Sequence, residues 1–304
     1  MTETLLVAAS PTDRAVLHVL HYFGIFRYPL SVEEVTHFVA LPGAKTGDIA
    51  DALNELAAKG RIFRFGQYFQ TDNDTGWLAA RLDYNRRAGQ FLPLAHRMSR
   101  FIGAFPFVRA VCVSGSLSKN CMSPDGDIDY FVITAPGRLW LARTLLVIFK
   151  KTFLFNSHKY FCINYFIDTE HLEIEEKNIY TATETVTLLP TYGSDWMQAF
   201  RSANQWAWDT LPNFPPRRAE GIPPHRRGWL KRLLERLLGG RLGAWLDQRA
   251  MRLTVGYWQR KFSGFDRSDF DVALKSRRYV SKHHPLFFQK KVLDALGERI
   301  GSAS

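Results

Sequence analysis

Two runs rich in β-branched and aromatic residues, VRAVCVS (108–114) and IDYFVIT (128–134), enclose a polar segment that ends in two aspartates one residue apart, Asp127 and Asp129. Runs of this kind form buried strands, because branched side chains pack well on a pleated surface and leave no polar face for water. A third such run, KYFCINYFI, spans residues 159–167. Between the second and third, residues 137–156 read as one long apolar helix that opens near Pro136 and Gly137. Arg143, Lys150 and Lys151 lie inside that stretch, too many charges for a bilayer span, so the helix is expected to be buried in protein. Strands separated by helices imply a layered fold. The expected class is α+β, a small mixed sheet with flanking helices.

The chain has 304 residues, of which 46% are hydrophobic and 23% charged. That is room for about two domains and too much apolar material for a disordered chain. The formal net charge of +11 favours anionic partners: nucleic acid, nucleotides or an anionic membrane. Cys112, Cys121 and Cys162 form no CxxC pair, which argues against a structural zinc site. They read as small apolar residues in a reducing cytoplasm. The opening MTETLLVAAS has neither a basic n-region nor a long apolar h-region, so no signal peptide is expected.

Residues 10–71 have the pattern of a small unit. Ser10 and Pro11 open a helix with Val16, Val19, Leu20 and Phe23 on one face. Ser31 and Glu34 have capping-box spacing. Thr46 is placed to cap a third helix whose stripe is Ile49, Leu53 and Leu56 and which Gly60 stops. RIFRFGQYFQT then reads as a hairpin turning at Gly66 and Gln67. Three helices and a hairpin in this order resemble a winged helix–turn–helix domain, which implies DNA binding or protein docking. Against DNA reading, the third helix carries Asp48, Asp51 and Glu55 and only Lys59, a net −2 that is the wrong sign for contact with phosphates.

The segment VSGSLSKNCMSPDGDIDYFVI carries the chemistry. Gly115 and Ser116 follow the first strand, and Asp127-Ile128-Asp129 enters the second. Residues two apart in a strand share a face, so both aspartates can converge on Mg²⁺ (or Mn²⁺), which takes oxygen ligands and usually shares them with substrate phosphates. Gly115 permits a close backbone approach to a phosphate, Ser116 adds a hydroxyl donor, and Lys119 lies one turn on. This pattern resembles the signature of the DNA polymerase β-like nucleotidyltransferase superfamily over residues 110–167. The resemblance implies transfer of a nucleoside monophosphate from a nucleoside triphosphate to an acceptor hydroxyl, with two metal ions and release of pyrophosphate.

Members of that superfamily carry a third carboxylate on a later strand. Here the matching run has Asn164 at its central polar position, and an amide cannot serve as a base at neutral pH. Asp168 shares its parity but lies about 13 Å further along an ideal strand. Either the register differs or the third acid is absent. In the latter case either the chain is a non-catalytic nucleotide sensor or nucleic-acid-binding regulator, or the reaction needs substrate-assisted proton loss or a base from elsewhere.

Three parts are expected: residues 1–75, a core at 76–183 entered through a helix over 76–103, and a basic helical region at 184–304. Between Arg217 and Lys261, 12 Lys and Arg face only Glu220, Glu235 and Asp247, a net +9. If that charge lined the cleft holding Asp127 and Asp129, it would select an anionic acceptor. The basic, amphipathic stretch 228–246 is expected to pack across the cleft, or else to lie on anionic lipid. Lys282, His283 and His284 form a basic cluster read as a surface loop, and HLEIEE (171–176) reads as a solvated edge.

Overall fold

The structure, a computed structural model, describes residues 10–153, 159–217, 219–226, 228–284 and 286–303. The N-terminal decamer therefore lies almost wholly outside the described residues, as do the end of the apolar helix at 154–156, Arg218, Arg227 and Pro285.

Local signals start the first elements. Ser10 accepts from the Asp13 amide and the Asp13 carboxylate accepts from the Ser10 amide, a reciprocal cap that begins α1 (Pro11–Gly24). After β1 (Leu30–Ser31), Ser31 and Glu34 repeat the device at the head of α2 (Val32–Phe38). The cap expected from Thr46 does not form. Lys45 is the N-cap of α3 (Thr46–Ala58), gives no side-chain bond, and leaves Thr46 already inside the helix. At the other end Gly60 has φ +68° and donates to Ala57 O, while Arg61 donates to Leu56 O, which closes the last turn. β2 (Phe63–Phe65) and β3 (Tyr68–Gln70) pair across Gly66, φ +64°, and the small sheet runs β1-β3-β2, antiparallel throughout.

Helix α4 (Thr75–Gly103), capped by Asp74, leads to the main sheet. β4 (Val108–Ser114) is followed by a 3-10 turn at Leu117–Lys119, then β5 (Asp129–Thr134), α5 (Leu139–Phe153) and β6 (Cys162–Asp168). α6 (Ile179–Thr187), β7 (Leu189–Tyr192), α7 (Met197–Ala203) and α8 (Gln205–Thr210) come next. The last part holds α9 (Trp229–Leu237), α10 (Arg241–Lys261), α11 (Arg267–Ala273), β8 (Ser276–Arg277), β9 (Val280–Lys282) and α12 (Phe288–Ala303). The six strands lie in the order β7-β4-β5-β6-β9-β8. Only β5 and β6 are parallel, and α5 supplies the crossover that a parallel pair needs. The fold is thus α+β around a mixed six-stranded sheet.

Strand alternation gives the sheet two apolar faces. Val111, Val113, Tyr130, Val132 and Phe166 pack with Trp140 of α5 and Trp258 of α10. Ala110, Cys112, Phe131, Ile133 and Ile167 pack with Phe200 of α7 and with Leu172 and Ile174. The 171–176 segment is therefore not a solvated edge: two of its side chains enter the core, and Glu176 pairs with Lys275 at 3.1 Å. Lys282 is likewise no loop residue. It sits in β9, buried, and its ammonium donates to Gln289 Oε1 at 2.9 Å.

Residues beyond 184 contribute to both earlier parts. β7 and β9 complete the sheet, and α12 returns to α1, where Val292 and Leu296 join the core made by Val16, Leu20 and Leu53. Among the described residues no helix is long and apolar enough to cross a membrane.

Candidate active site

The Gly-Ser turn and the head of β5 meet where β4 ends, since Ser114 pairs with Asp129 across the antiparallel ladder. Gly115 has φ +64°, a conformation that costs side-chain-bearing residues energy. A Cβ there would overlap Oδ2 of Asp129. Two constraints thus converge on one glycine. Gly115→Ala is expected to destabilise the protein by about 1–3 kcal/mol and to push the Asp129 carboxylate from its seat; denaturant unfolding checks the first effect. An unchanged midpoint would mean that Asp129 is not held by this turn.

Asp127 precedes the strand, and Ile128 between the aspartates is fully buried, its amide donating to Lys159 O. Asn164 comes to Asp129 through an irregularity. β5 and β6 pair Tyr130 with Ile163 but Phe131 with Tyr165, so Asn164 is the extra residue of a bulge. Its Nδ2 donates to Asp129 Oδ1 at 2.7 Å, and its Oδ1 faces Cys162 Sγ at 3.3 Å. Asp168 is at the opposite end of β6, beside Thr134, where its carboxylate accepts from the Glu170 and His171 amides. The third acid is therefore absent from this strand.

An acid from elsewhere reaches the site. Glu184 of α6 lies within electrostatic range of Asp129 and takes the ammonium of Lys119 at 2.8 Å. Lys119 also donates to Gly115 O at 3.0 Å, so its ammonium is turned to Glu184 and the turn's own backbone. Glu184 was not legible in sequence: it is 55 residues beyond Asp129 and bears no motif. Lys150 of α5 is a second cation in range of Asp127, its pKa lowered by burial.

Burial first, then the charges of Asp127 and Glu184, push the Asp129 carboxyl up to about 7. Half-buried carboxylates that repel one another make a place for a cation. Asp127 and Asp129 supply the hard oxygen donors that Mg²⁺ takes, and Mg²⁺ commonly uses one or two carboxylates plus substrate phosphates. Among the described residues no group of three or more His, Cys, Asp or Glu is arranged to hold a metal.

The basic region does not wall this site. Arg217 reaches it, donating to Ser118 O at 3.0 Å. Arg232 and Arg236 of α9 instead lie by Phe107 and Ala135, which flank the far end of β5 from Asp129. A strand of six residues separates the two places, roughly 17–20 Å. Arg232 and Arg236 therefore add nothing to a positive wall around Asp127 and Asp129, and α9 packs at the far end of β5 and not across the cleft. Charge counted along the chain does not say which end of a sheet a later helix covers.

No family model, curated protein or solved structure matches the chain.

Proposed function

We propose that this site binds a nucleoside triphosphate with Mg²⁺ and transfers its nucleoside monophosphate to an acceptor hydroxyl, releasing pyrophosphate, in a cytoplasmic setting. The observation that carries the reading is Asp129 seated against the positive-φ turn at Gly115, held near 7 by burial and by the charge of Asp127 beside it. The resemblance of VSGSLSKNCMSPDGDIDYFVI to the DNA polymerase β-like nucleotidyltransferases supports it. Asp127 and Asp129 would hold the metal, which would offset charge building on the phosphates. Gly115 and Ser116 would face the phosphate chain, and Lys119 would reach it on leaving Glu184. The acceptor oxygen forms a bond to the α-phosphorus as the bond to the bridging oxygen breaks, and its proton passes to a base. Asn164 cannot be that base, so Glu184 is the acid available outside the metal pair.

A second reading, a nucleotide sensor without turnover, has one observation in its favour: the Asn164 amide, and no carboxylate, faces Asp129 from β6. Under either reading the N-terminal unit, with its winged-helix order of elements, serves docking and not DNA reading through α3, whose Asp48, Asp51 and Glu55 are exposed.

Calorimetric titration of ATP with and without Mg²⁺ tests the shared premise, and release of pyrophosphate separates enzyme from sensor. Mg²⁺-dependent binding that is lost in Asp127→Ala is expected. Equal ATP affinity with and without Mg²⁺, unchanged in Asp127→Ala, would sink both readings.

A further inference from the structure

Helix α9 is turned inside out. Successive residues of a helix rotate by about 100°, so Trp229, Leu230, Leu233 and Leu237 share one arc of its surface. That arc faces solvent: Trp229 is 72% exposed and Leu237 61%. The side chains that hold α9 to the protein are the charged ones opposite. The Lys231 ammonium is buried and donates to Gly103 O and Val108 O, both at 2.7 Å. Glu235 accepts from Arg109 Nη1 and from the Phe107 amide, each at 2.7 Å. Arg138 holds the corner after α9 by donating to the carbonyls of Leu238, Gly239 and Gly240. Just past the corner, Leu242 and Trp245 of α10 are exposed as well. A surface helix normally buries its leucines, so these await a cover.

The charges around the arc select that cover. Among the described residues from Arg226 to Lys261, every exposed charged side chain is positive, because Glu235 is paired and Asp247 is buried. Arg232 and Arg236 flank the arc and open onto a cavity of about 440 Å³ that Arg109, Arg138 and Glu235 also line. A second copy of this face would meet its own positive charge. Nucleic acid would satisfy the arginines and leave the leucines in water. An anionic bilayer satisfies both: leucine and tryptophan at the level of the acyl boundary, arginine among the phosphates.

We propose that α9 and the start of α10 form a peripheral docking surface for an anionic lipid membrane. The docking surface stands independently of the proposed activity.

Sedimentation of the full chain with lipid vesicles tests it. The protein is expected to pellet with an equal mixture of phosphatidylcholine and phosphatidylglycerol and not with phosphatidylcholine alone, and to be released by salt. Leu233→Glu with Leu237→Glu is expected to lower the vesicle-bound fraction at least about tenfold. Circular dichroism checks that this variant folds. Should it fail to fold, bromine-labelled lipid supplies a second measurement: it should quench tryptophan emission, and less so in Trp229→Phe. No pelleting with anionic vesicles overturns the proposal, and so does pelleting that the Leu233 and Leu237 substitutions leave unchanged. A dimer that depends on these leucines and ignores vesicles overturns it in favour of a second copy. None of these outcomes bears on ATP binding, so failure here and failure of the triphosphate site remain separable.

Discussion

Asp129→Asn is expected to make the metal-free protein more stable at pH 8 while removing its Mg²⁺-dependent triphosphate binding. The Asp129 carboxyl is raised from an ordinary value of 3.8 to about 7, by burial first and then by Asp127 and Glu184. A group whose folded pKa is raised contributes its full stability below the unfolded pKa, here near 4, and loses it as pH rises through the folded value. Above pH 7 the folded chain therefore carries a buried charge that the unfolded chain would hold in water. Three units at about 1.4 kcal/mol each set a ceiling of about 4 kcal/mol, and coupling to Asp127 makes about 2 kcal/mol the working figure. Asparagine keeps an oxygen for the Asn164 amide and carries no charge. Urea unfolding of both proteins at pH 4 and pH 8 measures the effect. The advantage of the variant should be small at pH 4 and grow by about 2–4 kcal/mol at pH 8. A constant difference would mean that Asp129 ionises as it does in water, and the electrostatic case for a cation site would go with it. A residue that weakens the fold while it is empty and is relieved by a ligand is expected at a functional site.

Arg81→Ala is expected to cost about 3–5 kcal/mol, a larger loss than most single substitutions. Arg81 is 6% exposed and stands between the rings of Tyr28 and Tyr68, at 4.4 and 4.3 Å from their centroids. Its Nη2 meets Glu34 Oε1 at 2.8 Å and its Nη1 donates to the carbonyl of Pro29. Removing it strands a carbonyl, a carboxylate and two aromatic faces together. Lysine would not rescue, because a point charge cannot stack between two rings and bond to two acceptors in one plane. The contact also links the N-terminal unit to the site. Tyr28 accepts from Asn85 at 3.2 Å, and Asn85 donates to the carbonyl of Asn120, next to Lys119. Thermal unfolding of Arg81→Ala, Arg81→Lys and Glu34→Gln measures the ranking, with Glu34→Gln the mildest. If Arg81→Ala melts with the parent, the clamp between α4 and the small sheet contributes nothing.

What could be read from the sequence was local. Ser10 with Pro11, and Ser31 with Glu34, start helices because such signals need only residues a few places apart. Gly60 and Gly66 mark turns because only the backbone at that residue must turn left-handed. The three β-branched runs became β4, β5 and β6 because alternation along a strand assigns each side chain to a face without reference to anything distant. The same logic put Asp127, Asp129, Gly115 and Ser116 in one neighbourhood, since a strand, a turn and a strand lie between them.

Tertiary structure decided whatever depended on partners far along the chain. Asn164 faces Asp129 because of a bulge, and a bulge shows only when two strands are set side by side. Glu184 joins the site because α6 is delivered there by the sheet and by the N-terminal unit, not because of any spacing. The basic region between Arg217 and Lys261 has a sum that composition states and a direction that composition cannot state. Arg232 and Arg236 lie at the far end of β5 because Lys231 and Glu235 bond to groups around Gly103, Phe107 and Arg109, more than a hundred residues away. Periodicity marks an amphipathic helix and leaves open which face the protein takes. In α9 the buried hydrogen bonds of two charged side chains took the polar face and left the leucines outside.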